Sequence, residues 1–229
     1  ARVGIIDPFI GSSPVRVAET IARLYSGGEL FLHIGVTLYE TVLGFVLGTA
    51  AGTLIAITLW WSPAINRVLD PYLGVLNALP KIALGPILIV WFGAGITSII
   101  VMALLISFVV TIMSVLAGFN EITGEKQLLM KTLGASKLQI FTMVVLPASL
   151  PTIMNALKIS VGMSWVGVIV GEYLVSKAGL GYLIVYGGQV FKLDLVMASI
   201  VVLCLLAALM YYGVAYMEKK LVRWRMHGG

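Results

Sequence analysis

The chain has 229 residues, of which 60% are hydrophobic and 11% charged, with a mean hydropathy of +1.05. Soluble domains carry about 25% charged residues, so this composition excludes an ordinary soluble domain and places the chain in the membrane class. The net charge of +5 then reads as basic loops held on the cytoplasmic side rather than as a nucleic-acid surface, and a single cysteine, Cys204, excludes an intrachain disulfide.

Residues 1–30 mix turn residues with no steady period. Within them, residues 14–25 predict a short amphipathic helix, with Ser13 as N-cap and Pro14 at the first helical position. Val17, Ile21 and Leu24 share one face of it. The segment has no charged start followed by an apolar core, so it reads as interfacial or extracytoplasmic and not as a signal peptide. Residues 34–61 form the first span, longer than the roughly 20 residues needed to cross about 30 Å of hydrocarbon. Gly44, Gly48 and Gly52 recur at every fourth position and make a smooth stripe for helix packing. Trp60 and Trp61 stand at its end, where interface anchors belong.

Residues 62–70 read as a short polar loop containing Arg67. Residues 71–92 are a second span, broken by Pro80 and Pro86, each of which removes a backbone donor. Lys81 beside the first break either lines a polar path or snorkels to an interface. Residues 96–119 are a third span without charges, entered through Gly93-Ala94-Gly95. The fourth, residues 144–174, is entered through Leu146-Pro147 and Leu150-Pro151. Residues 175–194 read as a loop, residues 195–217 as the fifth span and residues 218–229 as a basic tail. The expected fold is therefore all-α: one polytopic membrane helical bundle over residues 1–229, with five visible spans.

Between the third and fourth spans lies residues 120–142, the one polar-punctuated helical stretch between long apolar regions. It carries Lys126, Lys131 and Lys137 and predicts a short helix, a turn at Gly134 and re-entry into the membrane. With this stretch and the C-terminal tail inside, the inner side holds Arg67, Lys126, Lys131, Lys137, Lys219, Lys220, Arg223 and Arg225. The outer side then holds Arg2, Arg16, Arg23, Lys177 and Lys192. Eight against five favours a cytoplasmic C-terminus, and an odd number of spans puts residues 1–30 outside.

Chemistry-bearing residues are few. Glu172 is either an acidic group at membrane depth, and so a functional candidate, or a carboxylate at the outer end of its span near water. Trp165 either stacks on a solute or packs. His33 and His227 have no cysteine or carboxylate at metal-ligand spacing, so no metal is assigned. No Gly-x-x-x-x-Gly-Lys-Ser/Thr loop is present to cradle phosphates, and no nucleophile–base constellation points to an enzyme.

Gly134-Ala135-Ser136 and Leu146-Pro147 match the signature of inner-membrane permease subunits of ABC importers: a Glu-Ala-Ala, a glycine six residues after that Glu, and a later Leu-Pro. Leu128, Leu129 and Met130 stand where the family has Glu-Ala-Ala. The wider ordered set resembles the nitrate/sulfonate/taurine group of these permeases. It includes Asp7-Pro8-Phe9, His33, Thr37-Leu38, Gly44-Phe45, Gly48, Leu79-Pro80, Pro86, Trp91-Phe92-Gly93, Gly118, Gly162, Trp165, Gly171-Glu172 and Gly179-Leu180-Gly181.

The resemblance implies a six-span fold, so a first helix upstream of Ala1 is expected. It implies a transport subunit and not an enzyme, in a bacterial or archaeal plasma membrane, surrounded by lipid. The implied partners are a second permease subunit, as a homodimer, two ATPase subunits that bind ATP-Mg, and an extracytoplasmic solute-binding protein. The implied solute is a sulfonate-, taurine- or nitrate-like anion or a vitamin precursor. Residues 120–142 become the coupling helix, with Leu129, Lys131, Thr132, Leu133, Gly134, Ala135, Ser136, Lys137 and Phe141 at the ATPase. Pro80, Asn155, Ser164, Trp165 and Glu172 are the candidate pathway residues. The competing expectation is a self-sufficient secondary transporter or channel, which calls for an inverted repeat or buried ionisable groups for ion coupling.

Overall fold

A computed structural model describes residues 13–122 and 124–226. The expectations for residues 1–12, including the Asp7-Pro8-Phe9 match, and for His227 lie outside the described residues.

Helix α1 (Pro14–Ser26) begins where the sequence places it: Ser13 Oγ accepts from Arg16 N at 3.3 Å, with Pro14 in the first turn. Helix α2 (Glu29–Trp61) is 33 residues long. Helix α3 (Pro63–Ala78) follows at once, so the expected polar loop over residues 62–70 is helical instead. Ser62 Oγ accepts from Ile65 N at 3.4 Å and Pro63 occupies the first turn, a cap-and-proline start. A single 3-10 turn (Lys81–Leu84) leads to α4 (Gly85–Phe92), and the two helical limbs are bent by 85°. The break falls at Leu79-Pro80, where the proline pushes Leu79 into the extended region (ψ 136). Lys81 Nζ donates to the Asn77 carbonyl at 3.1 Å, satisfying one acceptor near the break. Pro86 makes no second break. It sits in the first turn of α4, where a missing N–H has no partner to lose.

Helix α5 (Ile96–Asn120) is followed by α6 (Gly124–Thr132) and by α7 (Lys137–Ile140). A π-helical turn (Phe141–Val145) joins α7 to α8 (Leu146–Val175), giving 39 continuous residues. The wide turn lies just before Pro147, which cannot donate to the carbonyl four residues back. Residues 175–194, expected as loop, contain α9 (Leu180–Gln189). Helix α10 (Leu193–Met226) ends the described chain. Four of these helices are long and apolar enough to cross a bilayer, and the bent α3–α4 pair makes up to five.

The central helix is α5, packed along α2 on one side and α8 on the other. A Cβ on Gly44 would lie 2.6 Å from Ala103 Cβ, one on Gly52 would lie 2.9 Å from Thr111 Cβ, and Gly48 faces Ser107. The glycine stripe of α2 thus meets Ala103, Ser107 and Thr111, which recur at the same spacing on α5. Close backbone approach, the substitute for hydrophobic drive in lipid, is the reason small residues face each other here. The same Thr111 also joins α5 to α8, through a 2.7 Å bond between its Oγ1 and Ser160 Oγ. One apolar cluster, around Leu59, Phe119, Phe141 and Val145, closes the end of the bundle near α6 and α7. Another, around Leu24, Leu30, Leu180 and Leu195, closes the end near α9.

Candidate functional site

The α6–α7 connection is built from local signals. Gly134 has φ +80, a left-handed residue just past a helix end. Gly134 N donates to Lys131 O and Ala135 N to Met130 O, each at 3.0 Å. This pair of bonds is a Schellman closure. Two residues later the chain restarts with a capping box. Ser136 Oγ accepts from Gln139 N at 3.3 Å, and Gln139 Oε1 accepts from Ser136 N at 2.8 Å. Helix, glycine stop and serine start therefore set the local path of this elbow from residues a few positions apart.

The elbow has two faces. Leu128, Leu129, Leu133 and Leu138 are exposed, Leu133 to 74%. Lys131, Thr132, Gly134 and Ser136 are exposed among them. On the underside, Ala135 packs against the α2–α5 core. Phe141 does not belong to the outer face: it is buried, with its ring 5.0 Å from Trp60 and 5.5 Å from Phe119. Lys137 is exposed, but its side chain reaches back to the end of α2. Its Nζ donates to the Trp61 carbonyl at 2.5 Å and lies 5.6 Å from both Trp60 and Trp61 ring centres. Both residues, expected at the ATPase, contact the end of α2 within this chain. A cavity of about 410 Å³, lined by Trp60, Asn66, Asn120, Gln127 and Lys131, separates the elbow from α2 and α3.

The five candidate pathway residues do not converge. Asn155 and Trp165 line one cavity of about 590 Å³ between α8 and α10, together with Lys158, Gly162, Tyr211 and Tyr212. Trp165 is nonetheless 4% exposed, and its Nε1 has no partner among the described residues. Ser164 is fully buried and faces the bundle interior. Pro80 is exposed at the α3–α4 break. Glu172 is buried, 1% exposed, and lines none of these surfaces.

Glu172 instead holds the start of α9. Thr37 donates to its Oε1 at 2.7 Å, and Gly181 N and Tyr182 N donate to its Oε2 at 2.5 and 3.3 Å. Leu180 N donates to Thr37 Oγ1 at 2.8 Å and Gly179 N to His33 Nδ1 at 2.9 Å. The N-cap residue of α9 is a glycine with no side chain to offer, so its orphan amides are capped by α2 and α8. A Cβ on Gly181 would lie 2.8 Å from Glu172 Oε2, which explains a small residue there. Reading the sequence missed His33, Thr37 and Glu40 as a group, although their spacing sets them along one face of α2.

Beside this clasp a cavity of about 890 Å³ opens between α1, α2, α9 and α10. Its lining includes Arg23, Lys177, Lys192, Tyr182 and Tyr186, with Arg16 paired to Asp194 at 2.7 Å.

Residues 44–223 match the family described as binding-protein-dependent transport system inner membrane component. The chain is 30% identical over 223 residues to the putative aliphatic sulfonates transport permease protein SsuC of Bacillus subtilis, covering 97% of this chain and 81% of that one. It is 28% identical to the taurine transport system permease protein TauC of Escherichia coli, covering 100% and 84%. It is 30% identical to the formylaminopyrimidine transport permease protein ThiX of Halalkalibacterium halodurans, covering 96% and 87%. Among solved structures, an inward-facing MetNI methionine ABC transporter chain superposes with a TM-score of 0.68 at 20% identity, over 84% of this chain and 94% of that one.

Proposed function

This chain belongs to the family of binding-protein-dependent transport system inner membrane components, and we propose from that premise how its two ends work. It is a membrane-spanning permease subunit of an ABC importer for small solutes. In our reading two copies form the pathway, two separate ATPase subunits bind ATP-Mg against the α6–α7 elbow, and an extracytoplasmic binding protein delivers solute at the α9 end. The elbow and the C-terminus face the cytoplasm, as the excess of basic residues on that side favours.

The observation that carries this reading is the exposed leucine set of the elbow. Four apolar side chains on a segment with a rigid turn are what a groove on a partner accepts. Lys137 and Phe141 take the complementary role of transmitting the motion, since both fasten the elbow to α2 and α5. ATP binding in the partner then biases the pathway between its two openings. For the solute, the names of the relatives support a small organic anion or a vitamin precursor. The cationic and aromatic lining of the outer cavity supports the anion.

The test is ATPase activity and solute uptake in proteoliposomes holding the chain, its ATPase and its binding protein. Leu133→Asp and Gly134→Asp should abolish the stimulation of ATPase by binding protein and the uptake with it. Uptake that proceeds without ATPase and ignores both substitutions would overturn the reading.

A further inference from the structure

Glu40 sits on α2, three residues beyond Thr37. It is wholly buried, and neither of its oxygens meets a donor among the described residues. Thr37, one helical turn before it on the same face, donates to Glu172 Oε1 at 2.7 Å, so the two buried carboxyl groups are neighbours in the bundle. Glu172 is already supplied with three donors: the Thr37 hydroxyl and the Gly181 and Tyr182 amides. No lysine or arginine is paired with either carboxyl among the described residues.

Two ionised carboxylates side by side inside a bundle repel each other, and burial takes both out of bulk solvent. One proton between them converts the repulsion into an O–H···O bond, because a protonated carboxyl donates where a carboxylate can only accept. The charges then balance. The one negative charge left on Glu172 meets the amides and dipole of the α9 N-terminus, and the orphaned oxygens of Glu40 gain their partner. We propose that Glu40 and Glu172 form a buried proton-binding site, and that the bound proton keeps α9 fastened to α2 and α8. Release of the proton leaves two like charges side by side, and the motion that separates them withdraws Glu172 from Gly181 and Tyr182.

Other titratable groups around the pair are His33 on α2, Tyr173 on α8 and Tyr182 on α9. Glu29, Arg23 and Lys177 line the adjoining cavity. His33 meets Gly179 as an acceptor through Nδ1, a bond that protonation of Nδ1 would remove. Acid loosening is therefore read at Gly179, apart from the alkaline loosening read at Gly181 and Tyr182.

The experiment uses the full chain in lipid nanodiscs and two readouts, the infrared absorbance of protonated glutamic acid and hydrogen-exchange protection factors of α9. We expect a protonated-carboxyl band near neutral pH that is missing from Glu40→Gln. In the wild type, protection at Gly181 and Tyr182 should fall by about tenfold or more as rising pH removes the band. In Glu40→Gln, whose amide N–H replaces the proton, protection should stay level over the same range. A band that survives Glu40→Gln, or wild-type protection that does not follow the band, overturns the proposal. Should Glu40→Gln fail to fold, the wild-type titration decides alone: band loss and α9 loosening must coincide. Neither readout requires transport, so the result stands apart from the importer reading.

Discussion

Gly48 and Gly74 are both helical glycines, yet only Gly48 faces neighbours that a side chain would strike. Gly48→Leu should force α2 from α5 and destabilise by about 1–3 kcal/mol, the usual range for overpacking. Gly74→Ala, with nothing within 4 Å of the added carbon, should gain about 0.5–1 kcal/mol from the helix alone. Thermal unfolding in detergent checks both signs. Phe141 and Leu133 form a second contrast. Phe141→Ala removes a buried ring from a cluster of aromatic rings and should cost about 3–5 kcal/mol. Leu133→Ala should leave stability within about 0.5 kcal/mol while weakening co-purification of the ATPase. If Leu133→Ala unfolds the protein, the side chain is core and not docking surface.

The helical elements separate into those that carry their own stop and start signals and those that borrow them. The α6–α7 elbow belongs to the first kind. Ser136→Ala removes a cap of about 1 kcal/mol; it should fray α7 and lower stimulated ATPase activity while the melting of the bundle hardly moves. Helix α9 belongs to the second kind, because its N-terminal amides are satisfied by residues on two other helices. Thr37→Val removes both a donor to Glu172 and an acceptor for Leu180 N. It should cost about 1–3 kcal/mol, seen first as faster exchange at Leu180. Helix α3 shows a local signal overlooked: the Ser62-Pro63 start is as plain as Ser13-Pro14, but polar residues in the first two turns hid it.

For the whole molecule, the two ends of the bundle are chemically unlike, leucines and lysines at one and an aromatic cationic cavity at the other. With Cys204 replaced by serine, Leu133→Cys should react with a membrane-impermeant reagent only from the cytoplasmic side, and Tyr186→Cys only from the outside. The reverse pattern would invert the topology. The sequence by itself determined the membrane class, the places of the long spans, the glycine stripe, the break at Pro80, the turn at Gly134 and the family resemblance. The resemblance rests on an ordered set of motifs along the chain, and the others on composition or on residues a few positions apart. Three-dimensional packing was needed to show that Phe141 is buried and Lys137 reaches back to Trp61, that residues 180–189 are helical, and that Glu172 is sealed against Thr37 and the start of α9. Glu172 and Thr37 are 135 positions apart in the chain, and no local pattern encodes a contact made only when α2, α8 and α9 close on one another.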